Sequence, residues 1–218
     1  MGTLTRKFAN NFTVGGVYKP AAINNASLNN VTDIPAAAKG KLTLISSQTA
    51  SASASISFTS GIDSTYHTYL FKFVNIHPAN DNVNFTFNMS TDNGSSYSVT
   101  KTTTAFTAYH AQTGAFYGLN YEAGFDLAQS TAFQPTAWAV GNDNDQSVSG
   151  SMSLFNPSSS VFVKHFMSTM SNDTEGVSYY ENFTAGYGNT TSSVNAIQFS
   201  MSSGNIDDGT IYMYGVGA

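Results

Sequence analysis

The chain has 218 residues, and only 10% of them are Asp, Glu, Lys or Arg, against a usual ~25%. It contains no cysteine and carries a formal net charge of −5. These features exclude a disulfide framework, a thiolate metal site and a Cys nucleophile, and they disfavour broad nucleic-acid affinity.

Charge is unevenly placed. Arg6, Lys7, Lys19, Lys39 and Lys41 precede position 42 with one acid, Asp33, giving a net +4, while residues 42–218 carry −9. Residues 1–41 are predicted to form an N-terminal extended arm, followed by a β-rich body over 42–218. The arm holds Gly15-Gly16, Pro20 and Pro35, with Ile23, Leu28 and Ile34 as apolar residues to bury. Arg6, Lys7, Phe8, Lys19, Lys39 and Lys41 are the candidate attachment residues. They would dock on an acidic partner surface, with strand addition supplying main-chain hydrogen bonds. Nothing after Arg6 and Lys7 resembles a signal-peptide core, and no run approaches the ~20 apolar residues of a membrane helix, so no membrane insertion is expected.

Leu42, Leu44 and Ile45 suggest a first strand. Residues 50–59 alternate, with Ala52, Ala54, Ile56 and Phe58 on one face and Ser or Thr on the other, until Gly61 interrupts. That period of two predicts a half-buried strand. Tyr69, Phe71 and Phe73 define another strand, ending before Pro78. Val83, Phe85, Phe87 and Met89 alternate with Asn84, Thr86 and Asn88. Asp92-Asn93-Gly94 then supplies a turn, and Tyr97 and Val99 begin an expected returning strand, so 83–103 reads as a hairpin. Further strands are predicted at 105–110, 135–141, 147–155, 160–168, 177–187, 194–202 and 209–216. Only 119–132 has helical spacing, through Leu119, Ala123, Leu127 and Ala128, and Gly118 and Gly124 weaken it. FTFNMSTDNG at Phe85–Gly94 resembles QFSMSSG at Gln198–Gly204 as strand chemistry. Many short strands at near-regular spacing predict an all-β, jelly-roll-like two-sheet β-sandwich.

Catalytic and metal patterns are absent. His67, His77, His110 and His165 stand apart, and no HExxH, GxSxG, P-loop or dinucleotide fingerprint occurs. No catalytic residue, metal site or cofactor is expected. Asn142-Asp143-Asn144-Asp145 is an oxygen-rich run that suits a turn, with Asp143 and Asp145 as alternative calcium ligands. Phe at alternating positions reads as core, and Trp138 as core or interface. Tyr109, Tyr117, Tyr179, Tyr180 and Tyr187 lie near Gly or polar turns. They are candidates for surface recognition of a protein or a sugar, against the simpler reading that they tip the core with a wet hydroxyl.

Three stretches carry a family resemblance: SASASISFTSGIDSTYHTYLFKFVNIHP at Ser51–Pro78, DNVNFTFNMSTDNGSSY at Asp81–Tyr97 and AIQFSMSSGNIDDGTIYMYGV at Ala196–Val216. They resemble structural proteins of tailed bacteriophages, especially those of marine cyanobacteria. The resemblance covers most of 45–218 and carries over no catalytic residue. It implies location in the virion and does not decide which part. With the basic arm, the expectation is a non-enzymatic tail-fibre or adhesin-like module attached by the N-terminal segment. A capsid or tail decoration protein is the alternative, and a carbohydrate-active enzyme a more distant one. The partners implied are other virion proteins, further copies in a homo-oligomer (a trimer, by the symmetry of fibres and capsid three-folds), and host surface polysaccharide.

Overall fold

The computed structural model describes residues 42–176 and 178–217, so the attachment candidates Arg6, Lys7, Phe8, Lys19, Lys39 and Lys41 lie outside the described residues. The described residues contain twelve strands and no helix. These are β1 (Leu42–Thr49), β2 (Ile56–Phe58), β3 (Thr68–Pro78), β4 (Val83–Ser90), β5 (Lys101–Ala111) and β6 (Tyr117–Tyr121). The rest are β7 (Gln134–Val140), β8 (Val148–Phe155), β9 (Lys164–Asp173), β10 (Ser178–Gly188), β11 (Ala196–Met201) and β12 (Ile206–Val216). They form two antiparallel sheets packed as a sandwich. An eight-stranded sheet has the order β1-β12-β3-β8-β9-β10-β5-β6, and a four-stranded sheet has the order β2-β11-β4-β7.

The order contains a jelly roll. Its two halves are β1-β12-β3-β8 and β2-β11-β4-β7, and among these eight strands the chain switches halves at β1–β2–β3–β4, at β7–β8, between β8 and β11, and at β11–β12. The other four strands are additions. β5 and β6 fall between β4 and β7 in sequence, and β9 and β10 between β8 and β11. These two hairpins pair with each other through β10 and β5, extending one half of the jelly roll to eight strands.

The sheets meet on a Phe-rich core. Phe71 and Phe73 point inward from β3; Phe58, Phe85, Phe87 and Phe199 come from the opposing sheet, and all six are buried. The Phe199 ring lies 5.1–5.9 Å from those of Phe73, Phe71 and Phe85, edge-on to Phe73 and stacked on Phe85. Such offset and edge arrangements satisfy the ring quadrupoles while removing large apolar areas from water. The two look-alike segments prove to be neighbours, because β4 and β11 pair with Phe87 opposite Phe199 and Phe85 opposite Met201.

Beyond the jelly roll, the inner face becomes polar. Asn172, Asn182, Thr107, Thr103, Thr184 and Gln134 are all buried. Asn182 Nδ2 donates to Asn172 Oδ1 at 2.6 Å, and Asn172 Nδ2 to the Trp138 carbonyl at 3.2 Å. Thr103 Oγ1 donates to Gln134 Oε1 at 2.7 Å, and Gln134 Nε2 to the carbonyls of Phe125 and Pro135 at 2.7 and 2.8 Å. Buried amides are tolerable there because their donors and acceptors are paired.

Several sequence expectations change. The strand expected over 50–59 shrinks to Ile56–Phe58, since Ala52 takes φ 49° and both Ala52 and Ala54 are exposed. The 83–103 hairpin is a crossover between sheets. The turn forms as expected, with Gly94 at φ 84°, but β4 belongs to the four-stranded sheet and β5 to the eight-stranded one, and no strand forms at Tyr97 or Val99. Asp92 explains the turn. It accepts from the Ser90 and Ser96 hydroxyls, each at 2.6 Å, and these hold its carboxyl down at about 2. The helical spacing at 119–132 is overruled by β6 and the turns that follow it. The strand expected at 160–168 begins at Lys164 instead.

Lys101 is fully buried. Its Nζ donates to Asn88 Oδ1 at 2.5 Å and to the Val99 carbonyl at 2.7 Å. Desolvation pushes its pKa down from 10.5 to about 7. Between those values the unfolded chain holds a proton that the folded chain has shed, so stability should rise as pH increases through that window. Melting temperature measured across it should climb in the wild type and flatten in Lys101→Met. Phe199→Ala should cost ~3–5 kcal/mol in urea unfolding, because the cavity it leaves is walled by rings of both sheets.

Candidate interaction surface

Strand alternation decides what the eight-stranded sheet shows on its outer side. In β5 the inward residues are small or polar (Thr103, Ala105, Thr107), while Phe106 faces out, 40% exposed. Phe183 of β10 lies opposite Phe106 in register, and the two rings stack at 4.7 Å and 13°. Following the register across the sheet, Phe106 is flanked by Tyr121 of β6, and Phe183 by Thr169, Ser151, Lys72 and Tyr212 in turn. The adjacent row runs Leu44, Tyr214, Leu70, Ser153, Met167, Ala185 and Thr104. Lys72 is the one formal charge in these two rows. The outer side is therefore a broad aromatic and aliphatic face interspersed with hydroxyls. Such apolar faces on soluble proteins mark contact sites.

A shallow open groove of about 500 Å³ indents this face between β5, β9 and β10. Phe155, His165, Met167, Ala185 and Tyr187 form much of it, with Thr102 and Thr104 on one side. The His165 and Tyr187 rings lie 6.1 Å apart, tilted by 57°.

The five candidate tyrosines do not form one site. Tyr117, Tyr179 and Tyr187 lie on the outer face. Tyr117 is the most exposed, at 73%, with His110 stacked on it at 5.8 Å and 13°. The Tyr179 hydroxyl bonds to Glu181 and Ser171, and the Glu181 carboxylate raises the phenol's pKa. Tyr109 and Tyr180 alternate to the opposite side. They pair in register with rings 6.0 Å apart, and burial followed by the Glu122 charge raises the Tyr180 phenol.

Phe106, Phe183, Tyr212, Tyr214 and Met167 escaped sequence reasoning because apolar residues within strands read as core, and Leu119 and Tyr121 because 119–132 has helical spacing. A signal existed in β5, where Phe106 is out of phase with its small neighbours Ala105 and Thr107. Trp138 is buried and stacks on Phe125 at 4.7 Å and 18°, beside the polar interior. Asn142–Asp145 forms a turn in which the Gln146 amide donates to the Asp143 carbonyl at 2.8 Å and Gln146 Oε1 accepts from the Asp143 amide at 3.1 Å. Among the described residues no three His, Asp or Glu side chains gather as a metal site.

Comparison with protein families, with curated proteins and with solved structures finds no match.

Replacing Phe106 and Phe183 together by Ser should cost only about 1 kcal/mol, the scale of one aromatic pair, while reducing binding of a hydrophobic dye. A urea midpoint loss as large as that of Phe199→Ala would show that the pair is structural.

Proposed function

We propose that this chain is a non-enzymatic surface protein of a tailed-phage virion, a tail-fibre or adhesin-like module attached to the particle through residues 1–41. The observation that carries the reading is the outer face of the eight-stranded sheet. Its rings and aliphatic side chains gain by leaving water against a flat partner, at about 25 cal/mol per Å². Its Ser and Thr rows offer hydrogen bonds without the desolvation cost of charge. The jelly-roll body supports the reading as a rigid frame for display, and the resemblance of Ser51–Pro78 and Ala196–Val216 to phage structural proteins points the same way.

The face has two uses in such a particle. It packs against other virion proteins, and the His165–Tyr187 groove offers ring surfaces on which a neutral host polysaccharide can stack. The breadth of the apolar face favours a second reading, a decoration protein whose sheet seals a joint between capsid or tail subunits.

Copy number separates these readings. A fibre or adhesin occurs in a number set by tail symmetry, whereas a decoration protein occurs in proportion to the capsid or tail-tube lattice. Densitometry of purified virions measures it. Absence from virions altogether would refute both readings. Deleting residues 1–41 should leave the twelve-stranded body folded by circular dichroism and abolish incorporation into particles; retained incorporation would place attachment in the body.

A further inference from the structure

The eight-stranded sheet ends at β6, and the backbone of that strand carries a specific pattern. The Ala111 amide donates to the Phe116 carbonyl at 2.9 Å, and the Glu122 amide to the Ala105 carbonyl at 2.9 Å. With Tyr109 opposite Gly118 and Thr107 opposite Asn120, the alternation of an antiparallel ladder follows. Residues 116, 118, 120 and 122 turn their amides and carbonyls toward β5. Tyr117, Leu119 and Tyr121 turn theirs outward, to the open edge. Three N–H and three C=O groups thus stand in a row without a ladder partner among the described residues.

Among the described residues this edge lacks the usual protection. Natural edges are blunted by Lys, by Pro, by a bulge or by a covering loop. Phe116–Tyr121 reads FYGLNY, with no charge and no proline, and β5–β6 pairing has no register shift. The side chains above the free groups are large and open: Tyr117, Leu119 and Tyr121 are 73%, 68% and 58% exposed.

We infer that β6 pairs with β6 of a second copy, antiparallel across a two-fold axis at Leu119, joining two eight-stranded sheets into one. The pattern is self-complementary. With Leu119 opposite its own symmetry mate, Tyr117 faces Tyr121 of the other copy, and every outward amide meets an outward carbonyl. Six interchain hydrogen bonds form, and the apolar side chains of both strands fall on one face. Residues 42–218 carry a net −9, and Phe116–Tyr121 contributes no carboxylate of its own; that of Asp126 accepts from the Tyr121 hydroxyl. At ~200 Å² per large side chain, the exposed parts of Tyr117, Leu119 and Tyr121 amount to about 400 Å² per copy. Edge pairing covers only their flanks across the seam, so the main-chain hydrogen bonds carry most of the contact and the interface is of the small, weak class. The resulting symmetry is a closed two-fold, in place of the trimer expected for a fibre.

The test uses the full chain in sedimentation velocity. Wild type is expected as a monomer–dimer equilibrium. Leu119→Lys and Leu119→Glu each place like charges directly opposite one another at the axis, which destabilises the pair. Each variant alone should be monomeric, and at concentrations too low for the wild type to dimerise it should melt at the wild-type temperature, because Leu119 is exposed. Mixing the two should restore the dimer, since lysine then faces glutamate. A monomeric wild type, a dimer that survives Leu119→Lys, a trimer, or a mixture that stays monomeric would each overturn the pairing. The last outcome would assign the edge to a strand from a different protein.

Discussion

An eight-stranded sheet faces a four-stranded one, and most of the molecule follows from that inequality. Where the two overlap, opposing faces bury each other, and the chain supplies Phe on both sides, with Phe199 touching rings of β3 and β4. Where β9, β10, β5 and β6 run past the smaller sheet, a continued Phe face would have no partner. Phe166 and Met170 of β9 still join the Phe core, but beyond them the inward positions are mainly Asn, Thr and Ser, covered by β7 with its Gln134 and by the Phe125–Trp138 stack. Their amides bond to one another and to backbone carbonyls, which keeps a polar interior affordable. Lys101 and Lys164 sit at its margin, on either side of Gly188 in register, each tied to carbonyl oxygens of nearby loops.

The same extension inverts the chemistry of its outer side. The mid-strand inward residues are Thr103, Ala105 and Thr107 in β5 and Asn182 and Thr184 in β10, and Phe106 and Phe183, out of phase with them, face out. Most of the groove, and the edge at β6 that is unpaired among the described residues, lie on these added strands, while the apolar outer face runs on across β8, β3, β12 and β1 through Phe155, Leu70, Tyr212, Tyr214 and Leu44. In the jelly-roll half one apolar set of β3, β8 and β12 (Tyr69, Phe71 and Phe73; Met152 and Leu154; Ile211 and Met213) points to the core, and Leu70, Phe155, Tyr212 and Tyr214 face out.

Fold class was legible because the period of two survives in β3, β4, β8, β11 and β12, each with a buried Phe, Met or Ile series. What misled were local patterns whose meaning depends on distant chain. Ala52 and Ala54 keep the period but are too small to anchor a strand, and the chain turns at Ala52. The Asp92–Gly94 turn is real, yet turn chemistry cannot tell whether the returning chain pairs or crosses to another sheet. Tyr109 and Tyr180 were grouped with Tyr117, Tyr179 and Tyr187 by composition, whereas strand parity sets them on opposite sides. The outward face of β5 and β10 was hidden for a related reason: alternation reveals two faces but does not say which of them is covered.

Strand neighbours in this molecule are often far apart along the chain. β1 pairs with β12, and β2 with β11, so residues near 42–58 wait for partners near 196–216. Closing such loops costs entropy before any contact repays it, which slows folding. The added hairpins close early by comparison, because β9 and β10 are adjacent in sequence and β5 meets β6 across a short turn. During synthesis, therefore, the extension can order while the Phe strands of the jelly roll still lack half their ladder. Until β11 and β12 emerge, Phe71, Phe73, Phe85 and Phe87 face solvent or a chaperone, and the nascent chain is most open to aggregation in that interval.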